Sequence, residues 1–484
     1  MLNQTEHTAD TTYQSFQQSR IAHWDALARK MDQWTGWGGY YHQRLAEIYR
    51  FLVVPGQRVL EIGCGEGDLL AAVKPGIGVG VDFSGEMLSR ARKRYPNLHF
   101  IQADAHDFEL KDKFDIIILS DLVNDLWDVQ AVFEKILAVS DSNTRIIINS
   151  YSKLWELPLA LVTRWGLASA RLYQNWLTVE DITGLLDLAN FEVVRHWEEI
   201  LWPMSTPVLS SLANRYLVRF WPLKLFGLTN FMVARPDSFR KSLEDKPLVS
   251  VVVPARNEAG NIPQVFARTP EMGAGTELVL VEGHSGDNTY EVIERTIANN
   301  PGRRCQLFRQ EGTGKGDAVR LGFSRARGDI LMILDADLTV PPEDLPRFFN
   351  ALVAGKAEFV NGVRLVYPME QEAMRFINLI GNKFFSLAFS WLLGQPVKDT
   401  LCGTKVMWKS EYEKIVANRN YFGDFDPFGD FDLLFGAAKL NLKILDLPIR
   451  YRERMYGETN INRWSHGWLL LKMVLFASRR IKFV

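Results

Sequence analysis

The stretch Gly312-Thr-Gly-Lys-Gly-Asp-Ala-Val-Arg-Leu-Gly-Phe-Ser-Arg-Ala-Arg-Gly-Asp-Ile-Leu-Met-Ile-Leu-Asp-Ala-Asp-Leu-Thr339 decides the reading of the C-terminal half of the chain. A glycine-rich basic loop opens it. Val319, Leu321, Phe323 and Ala326 then mark a helix, and Ile330 to Leu334 is an apolar run short enough for a buried strand. Asp335-Ala336-Asp337 ends that strand. In an extended chain alternate side chains share a face, so both carboxylates are expected on one side. Two carboxylates with few other ligands suit a hard divalent cation, Mg²⁺ or Mn²⁺, that keeps positions open for substrate phosphates. Lys315 and Arg320 lie just upstream and offer positive charge to further phosphate oxygens. The combination predicts a site for a nucleotide diphosphate held through a metal ion.

Asp-Ala-Asp alone also starts ordinary turns, so its neighbours matter. Val249 to Pro254 is a second buried-strand pattern, followed by Ala255-Arg256-Asn257-Glu258. Leu278 to Glu282 is a third, followed by Gly283-His284-Ser285-Gly286-Asp287-Asn288-Thr289. Strands that each end in polar residues match an open α/β sheet binding ligand at its carboxyl edge.

Residues 248 to about 460 resemble inverting family 2 glycosyltransferases of the GT-A fold, and within them the dolichyl-phosphate mannose and glucose synthases. The motifs that carry the resemblance are Val-Pro-Ala-Arg-Asn-Glu (253–258), Gly-Lys-Gly-Asp-Ala-Val-Arg (314–320) and Asp-Ala-Asp (335–337). Further on come Lys-Asp-Thr-Leu-Cys-Gly-Thr-Lys (398–405), Gly-Asp-Phe-Asp-Leu (429–433) and Tyr-Gly-Glu-Thr-Asn (456–460).

The resemblance implies a nucleotide-diphospho-sugar donor held by Pro254, Ala255, Arg256, Glu258, Glu282, Lys315, Arg320, Asp335 and Arg454. It implies a metal on Asp335 and Asp337, and a polyprenyl phosphate as acceptor. Asp399, Arg364 and Arg375 complete the expected catalytic set. An acceptor phosphate is largely anionic near neutral pH and needs positioning, by Arg364, Arg375 or Lys405, more than a base. A sugar-hydroxyl acceptor would need one, and Asp399 and Asp430 are the candidates. The chain departs from the family at three places. Glu282-Gly283-His284-Ser285 stands where many relatives have Asp-Asp-Gly-Ser. Thr339 replaces the glutamine of mannose synthases, and Thr459-Asn460 replaces a Ser-Lys pair.

In the N-terminal half, Arg58 to Ile62 reads as a strand followed by Gly63-Cys64-Gly65-Glu66-Gly67 and a helix at Leu69 to Val73. Ile77 to Val81 is the next strand and ends in Asp82. Glycines let backbone approach a ligand, the helix start offers free N–H groups, and an acid about twenty residues on can bond ribose hydroxyls. The Glu-x-Gly-x-Gly-x-Gly spacing is similar to that of class I S-adenosylmethionine-dependent methyltransferases, over about residues 20 to 236. The resemblance implies cofactor contacts from Glu61, Gly63, Gly65, Gly67, Asp82, Asp104, Ala105 and Ser120. Strands are expected at Phe100–Asp104, Phe114–Leu119, Thr144–Asn149, Phe191–Trp197 and Asn230–Ala234. Ser120-Asp121-Leu122-Val123-Asn124 lies near the reactive methyl, yet no base stands out. Tyr151–Trp176 and Pro203–Phe226, rich in Trp, Leu and Arg, are read either as caps on the methyl-acceptor pocket or as a surface packed on the second domain.

The expected architecture is α/β throughout: a Rossmann-like seven-stranded methyltransferase domain, then a GT-A nucleotide-diphospho-sugar transferase domain. The segments are a disordered 1–19, a methyltransferase 20–236, a linker 237–247, a transferase 248–460 and an interfacial helix 461–484. The chain has 484 residues and a net charge of −1, with no long basic block, so nucleic acid is not an expected partner. Its three cysteines lack metal-ligand spacing and fit a reducing compartment. No apolar run is long enough to span a bilayer. Ser465, Lys472 and Arg479 form one polar stripe on an otherwise apolar terminal helix, so a peripheral place on the inner face of the membrane is expected. Two alternatives stay open: a transferase acting on a surface polysaccharide hydroxyl, and one domain serving only as a ligand-binding regulatory module.

Overall fold

A computed structural model of the chain describes residues 2–30, 39–164, 172, 174–237, 246–364, 376–421, 431–449 and 463–483. Two compact units divide it, Met1–Asp237 with the last two residues, and Ser238–Lys482.

The first unit is built on seven strands: β1 (Arg58–Ile62), β2 (Ile77–Asp82), β3 (His99–Gln102), β4 (Ile116–Ser120), β5 (Arg145–Tyr151), β6 (Phe191–Glu199) and β7 (Thr229–Pro236). They lie in the order β3-β2-β1-β4-β5-β7-β6. β7 alone runs antiparallel, pairing with β5 and β6 on either side. Val, Ile and Leu fill β1 and β4 because both faces of the sheet are covered. One face carries a core around Phe108, Phe133, Leu186 and Met232. The other carries Leu45, Tyr49, Leu70 and Phe231.

The second unit holds β8 (Val249–Ala255), β9 (Thr276–Glu282), β10 (Arg304–Arg309), β11 (Ile330–Ile333), β12 (Phe359–Val363), β13 (Lys405–Trp408) and β14 (Ile444–Pro448), in the order β10-β9-β8-β11-β13-β12-β14. β13 is antiparallel to both its neighbours. That reversal decides the site. The start of β13 lies at the edge where β8, β9, β11 and β12 end, so residues 398–405 join the strand-end loops.

The expected strands are all present, with ends shifted by a few residues. Two expectations change. Residues 1–19 are expected to be disordered, but 2–30 form one helix. The reason is tertiary: Tyr13 and Phe16 pack their rings edge-on against Trp127, and Arg20 donates to the Asp125 carbonyl oxygen at 2.9 Å. The second concerns Asp335 and Asp337. β11 stops at Ile333, so both acids sit in a turn with Leu338 at φ 56°, and extended-chain alternation does not place them.

Candidate functional sites at two strand edges

In the first unit β1 ends in a turn held to β2. Gly63 N donates to the Val81 carbonyl at 2.7 Å. Gly65 N and Ser84 N donate to the two oxygens of Asp82, each at 2.8 Å. Burial raises the Asp82 carboxyl, and these two N–H bonds oppose the rise. Gly65 has φ +51°, and a Cβ added there would meet no atom within 4 Å. Glu61 is buried, its Oε2 has no hydrogen-bond partner among the described residues, and burial pushes its carboxyl well above the usual range. An open glycine turn, an orphaned buried oxygen and an acid at the next strand end fit an adenosine-bearing cofactor. Gly67, with φ +78°, precedes the short helix Asp68–Ala72. Ser120, at the end of β4, is half-buried, and Ala105, beyond β3, is buried.

Asp104, expected at the cofactor, has partners in its own loop and in the N-terminal helix. Its Oδ1 accepts from His106 N at 2.8 Å and contacts His106 Nδ1 at 2.6 Å, and its Oδ2 accepts from Gln17 Nε2 at 2.8 Å. Burial alone would raise this carboxyl, but the His106 and Gln17 bonds outweigh it and bring it down to about 2. Asp104 is thus engaged by the N-terminal helix and its own loop. Asp25 of the same helix accepts from Ser84 Oγ at 2.5 Å, so the helix crosses two of the loops expected to hold the cofactor.

Sequence reasoning also missed a polar cluster beside the glycine turn. Tyr41 Oη donates to Asp121 at 2.9 Å, Asn149 Nδ2 donates to the same carboxylate at 2.6 Å, and Tyr49 Oη donates to Asn149 Oδ1 at 2.7 Å. Asp121 has φ 55°, a left-handed conformation that costs free energy for a residue with a Cβ. Tyr151 stacks on Tyr41, with ring centroids 6.1 Å apart. Asn124 ties the neighbouring segment in, donating from Nδ2 to the Asn175 carbonyl at 2.7 Å.

In the second unit the loops after β8 and β9 lock together. Gly283 N donates to the Ala255 carbonyl at 2.9 Å, Gly286 N to Asn257 Oδ1 at 2.7 Å, and Ser285 N to Glu282 at 2.5 Å. Pro254 is half-buried and Arg256 exposed on the rim. Glu258, expected at the donor, is buried and takes Asn261 Nδ2 at 2.7 Å, which makes it a loop brace. Lys315, first residue of the helix Lys315–Arg325, reaches Asp335 at 2.6 Å. Burial would raise Asp335, but the Lys315 ammonium outweighs it and holds the carboxyl below its ordinary value. Gly403 lies so close that any Cβ there would collide with this pair. Asp337 Oδ1 accepts from Thr339 N at 3.1 Å and from Thr339 Oγ1 at 2.8 Å, so Thr339 braces the acid. Arg320 is half-buried and close enough to Tyr412 to act on its hydroxyl.

Asp399 and Arg364 meet, but not as free catalytic groups. Arg364 Nε and Nη2 donate to the two Asp399 oxygens at 2.7 and 2.8 Å, and Leu401 N adds a bond at 3.0 Å. Asp399 is 3% exposed; burial opposes its charge and Arg364 more than restores it, holding the carboxyl low. Lys405, offered above as an acceptor clamp, is fully buried and donates to the Cys402 carbonyl. Arg375, Asp430 and Arg454 lie outside the described residues.

The Lys315 ammonium is seated on Asp335 at 2.6 Å, so positive charge is already balanced against that carboxylate. Among the described residues no three His, Cys, Asp or Glu side chains converge to cage a metal. Carboxylate oxygens such as those of Asp335 and Asp337 are of the kind that an oxygen-loving ion takes, with its remaining ligands from water and substrate.

Both candidate sites thus lie at the strand ends of seven-stranded α/β sheets, the arrangement of nucleotide- and cofactor-binding enzymes. Residues 54–192 match the model of a methyltransferase domain, and residues 250–414 that of glycosyl transferase family 2. The chain thus carries a methyltransferase domain followed by a family 2 glycosyltransferase domain. Its second half is similar to undecaprenyl-phosphate 4-deoxy-4-formamido-L-arabinose transferase of Pseudomonas aeruginosa, 34% identical over 216 residues. That match covers 44% of this chain and 60% of the relative. It is also similar to dolichol-phosphate mannosyltransferase of Pyrococcus furiosus, 27% identical, over 49% of this chain and 67% of that one. A solved S-adenosylmethionine-dependent methyltransferase from Thermotoga maritima superposes at TM-score 0.34 and 16% identity, over 44% of this chain and 99% of that one.

Proposed function

We propose that the second unit moves a sugar from a nucleotide diphosphate to a polyprenyl phosphate, inverting the anomeric centre, and that the first moves a methyl group from S-adenosylmethionine. The observation that carries the acceptor reading is the Asp399–Arg364 pair. A buried carboxylate held low by a two-point guanidinium is a poor proton acceptor, so Asp399 does not suit the role of base that a sugar hydroxyl would need. An acceptor phosphate needs none. The names of the relatives, an undecaprenyl-phosphate and a dolichol-phosphate transferase, agree.

In this reading the loops 254–258 and 282–286 bind the nucleoside, and Asp335 and Asp337 hold Mg²⁺ or Mn²⁺ at the diphosphate. A divalent ion bound there neutralises charge on the leaving group. Lys315 then leaves Asp335 for a phosphate oxygen, a shift its long flexible stem permits. In the first unit Glu61, Gly63, Gly65 and Asp82 hold the S-adenosylmethionine, which supplies an electrophilic methyl. The protein aligns acceptor and cofactor and keeps water out.

The helix Arg463–Ala477 buries Leu470, Met473 and Ala477 and exposes Trp468, Lys472 and Leu475. That exposed face, with Arg479 and Arg480 beyond it, suits the headgroup zone of an inner membrane surface. No described helix is long and apolar enough to cross a membrane. The test is a panel of nucleotide sugars with a short prenyl phosphate, with and without Mg²⁺. Labelled product partitioning into organic solvent supports the reading. Label passing only to a water-soluble glycan overturns it.

A further inference from the structure

The methyltransferase unit exposes large apolar side chains on two segments that its sheet does not need. One follows β5 and includes the helix Glu156–Arg164; the other follows β6 and runs through 203–226 as short helical turns. Leu157 and Trp221 are each 76% exposed and Val208 81%, with Leu154 and Phe226 also well exposed. The segments are joined. Trp155 Nε1 donates to the Phe226 carbonyl at 2.9 Å, and Ser152 N donates to the Leu228 carbonyl at 2.8 Å. Single exposed leucines are ordinary, but a linked group of this size marks an interaction surface.

Charge selects the partner. Residues 201–228 contain Arg215, Arg219 and Lys224 and no Asp or Glu, in a chain whose acids and bases are otherwise balanced, 57 to 56. Arg219 is engaged by Glu199 at 2.5 Å and Lys224 lies 3.9 Å from Glu198; Arg215 donates from Nε to the Phe483 carbonyl at 2.7 Å yet, like Lys153, stays exposed. Place matters as well. β5 and β6 point the same way as β1, so both segments leave the sheet at the edge that carries the Gly63–Gly67 turn.

We propose that these two segments form a face by which the methyltransferase unit docks on a bilayer with anionic headgroups. The Leu, Val and Trp side chains enter the acyl boundary, and Lys153 and Arg215 meet headgroup phosphates. A face on this edge turns the cofactor end of the sheet to the membrane, so the acceptor methylated there is carried by a lipid. This goes beyond the membrane contact proposed for the terminal helix and is tested apart from it.

In the full chain, a Cys305→Ser background leaves only the buried Cys64 and Cys402. Leu157→Cys, Trp221→Cys and, at the opposite sheet edge, Lys111→Cys each take a fluorescent probe. Vesicles of phosphatidylcholine, with or without phosphatidylglycerol, carry nitroxide-labelled acyl chains. The expected result is loss of fluorescence at positions 157 and 221 on phosphatidylglycerol vesicles and none at 111. A Leu157→Ser/Trp221→Ser variant should bind those vesicles about tenfold more weakly or worse, with an unchanged melting temperature. A chain that floats with the vesicles while probes 157 and 221 stay bright is held by its terminal helix alone and overturns the docking face. Failure to associate with any vesicle overturns both membrane contacts.

Discussion

Asp399 and Asp337 are both acids in transferase loops, but their surroundings separate them. Asp399 is buried against the half-buried Arg364, so Asp399→Asn removes the charge on which that guanidinium sits and leaves an amide in its buried place. The expected cost is about 3–5 kcal/mol in urea unfolding of that unit. The pH dependence follows from the direction of the shift. The folded carboxyl is held low, so its contribution is present above the unfolded value of about 3.9 and fades as pH falls through the lower folded value. The gap between wild type and variant should therefore close on acidification below about pH 4. Asp337 is braced by Thr339 in an open turn, and Asp337→Asn should cut sugar transfer by about a hundredfold or more with little change in stability. A variant that transfers sugar at nearly the wild-type rate would remove the metal assignment. In the other unit, Asp82→Ala removes the acceptor of two loop N–H groups and of the expected ribose hydroxyls. Cofactor affinity measured by calorimetry should fall about tenfold or more.

At the scale of elements, the helix Leu2–Lys30 runs through the first nineteen residues, where disorder is expected. Its stripe was nonetheless in the sequence: Tyr13, Phe16, Gln17, Arg20 and Trp24 recur at three- and four-residue spacing, which is a helical face. The mostly polar sequence around them hid it. Tyr13→Ala with Phe16→Ala removes two edge-on contacts with Trp127 and one with His106. Each such pair contributes about 0.5–1.5 kcal/mol beyond its buried area. Amide exchange in residues 13–30 should speed up about tenfold or more, while exchange in β1 and β4 stays slow. Unchanged exchange in the helix would mean that Arg20 and Asp25 hold it without the aromatic residues.

For the whole molecule, two sheets with separate cores carry two sites with different chemistry. The paired acids proposed to hold a divalent ion, Asp335 and Asp337, lie in the second unit. Chelation with excess EDTA should therefore abolish sugar transfer and leave S-adenosylmethionine affinity unchanged in the same preparation. Added Mg²⁺ or Mn²⁺ should restore transfer. Transfer that survives chelation would assign the cation's role to Lys315, which already sits on Asp335 at 2.6 Å.

Local pattern by itself determined the seven strands of the first sheet and three of the second, β8, β9 and β11, to within a few residues at their ends. Apolar runs of four to seven residues stopped by Gly, Asp or Asn are sequence-local signals, and the glycine turn at 63–67 and the acids at 335–337 sit on them. Tertiary structure decided what those residues are free to do. Arg364 and Asp399, 35 positions apart, meet because β13 runs backwards between β11 and β12. Gln17 and Asp104 are 87 apart, and Tyr41 and Asp121 are 80 apart. No helical or strand period connects such pairs. A carboxylate reads the same in a sequence whether it is buried on a guanidinium or open in a turn. Only the packing around it sets its charge, its partners and so its role.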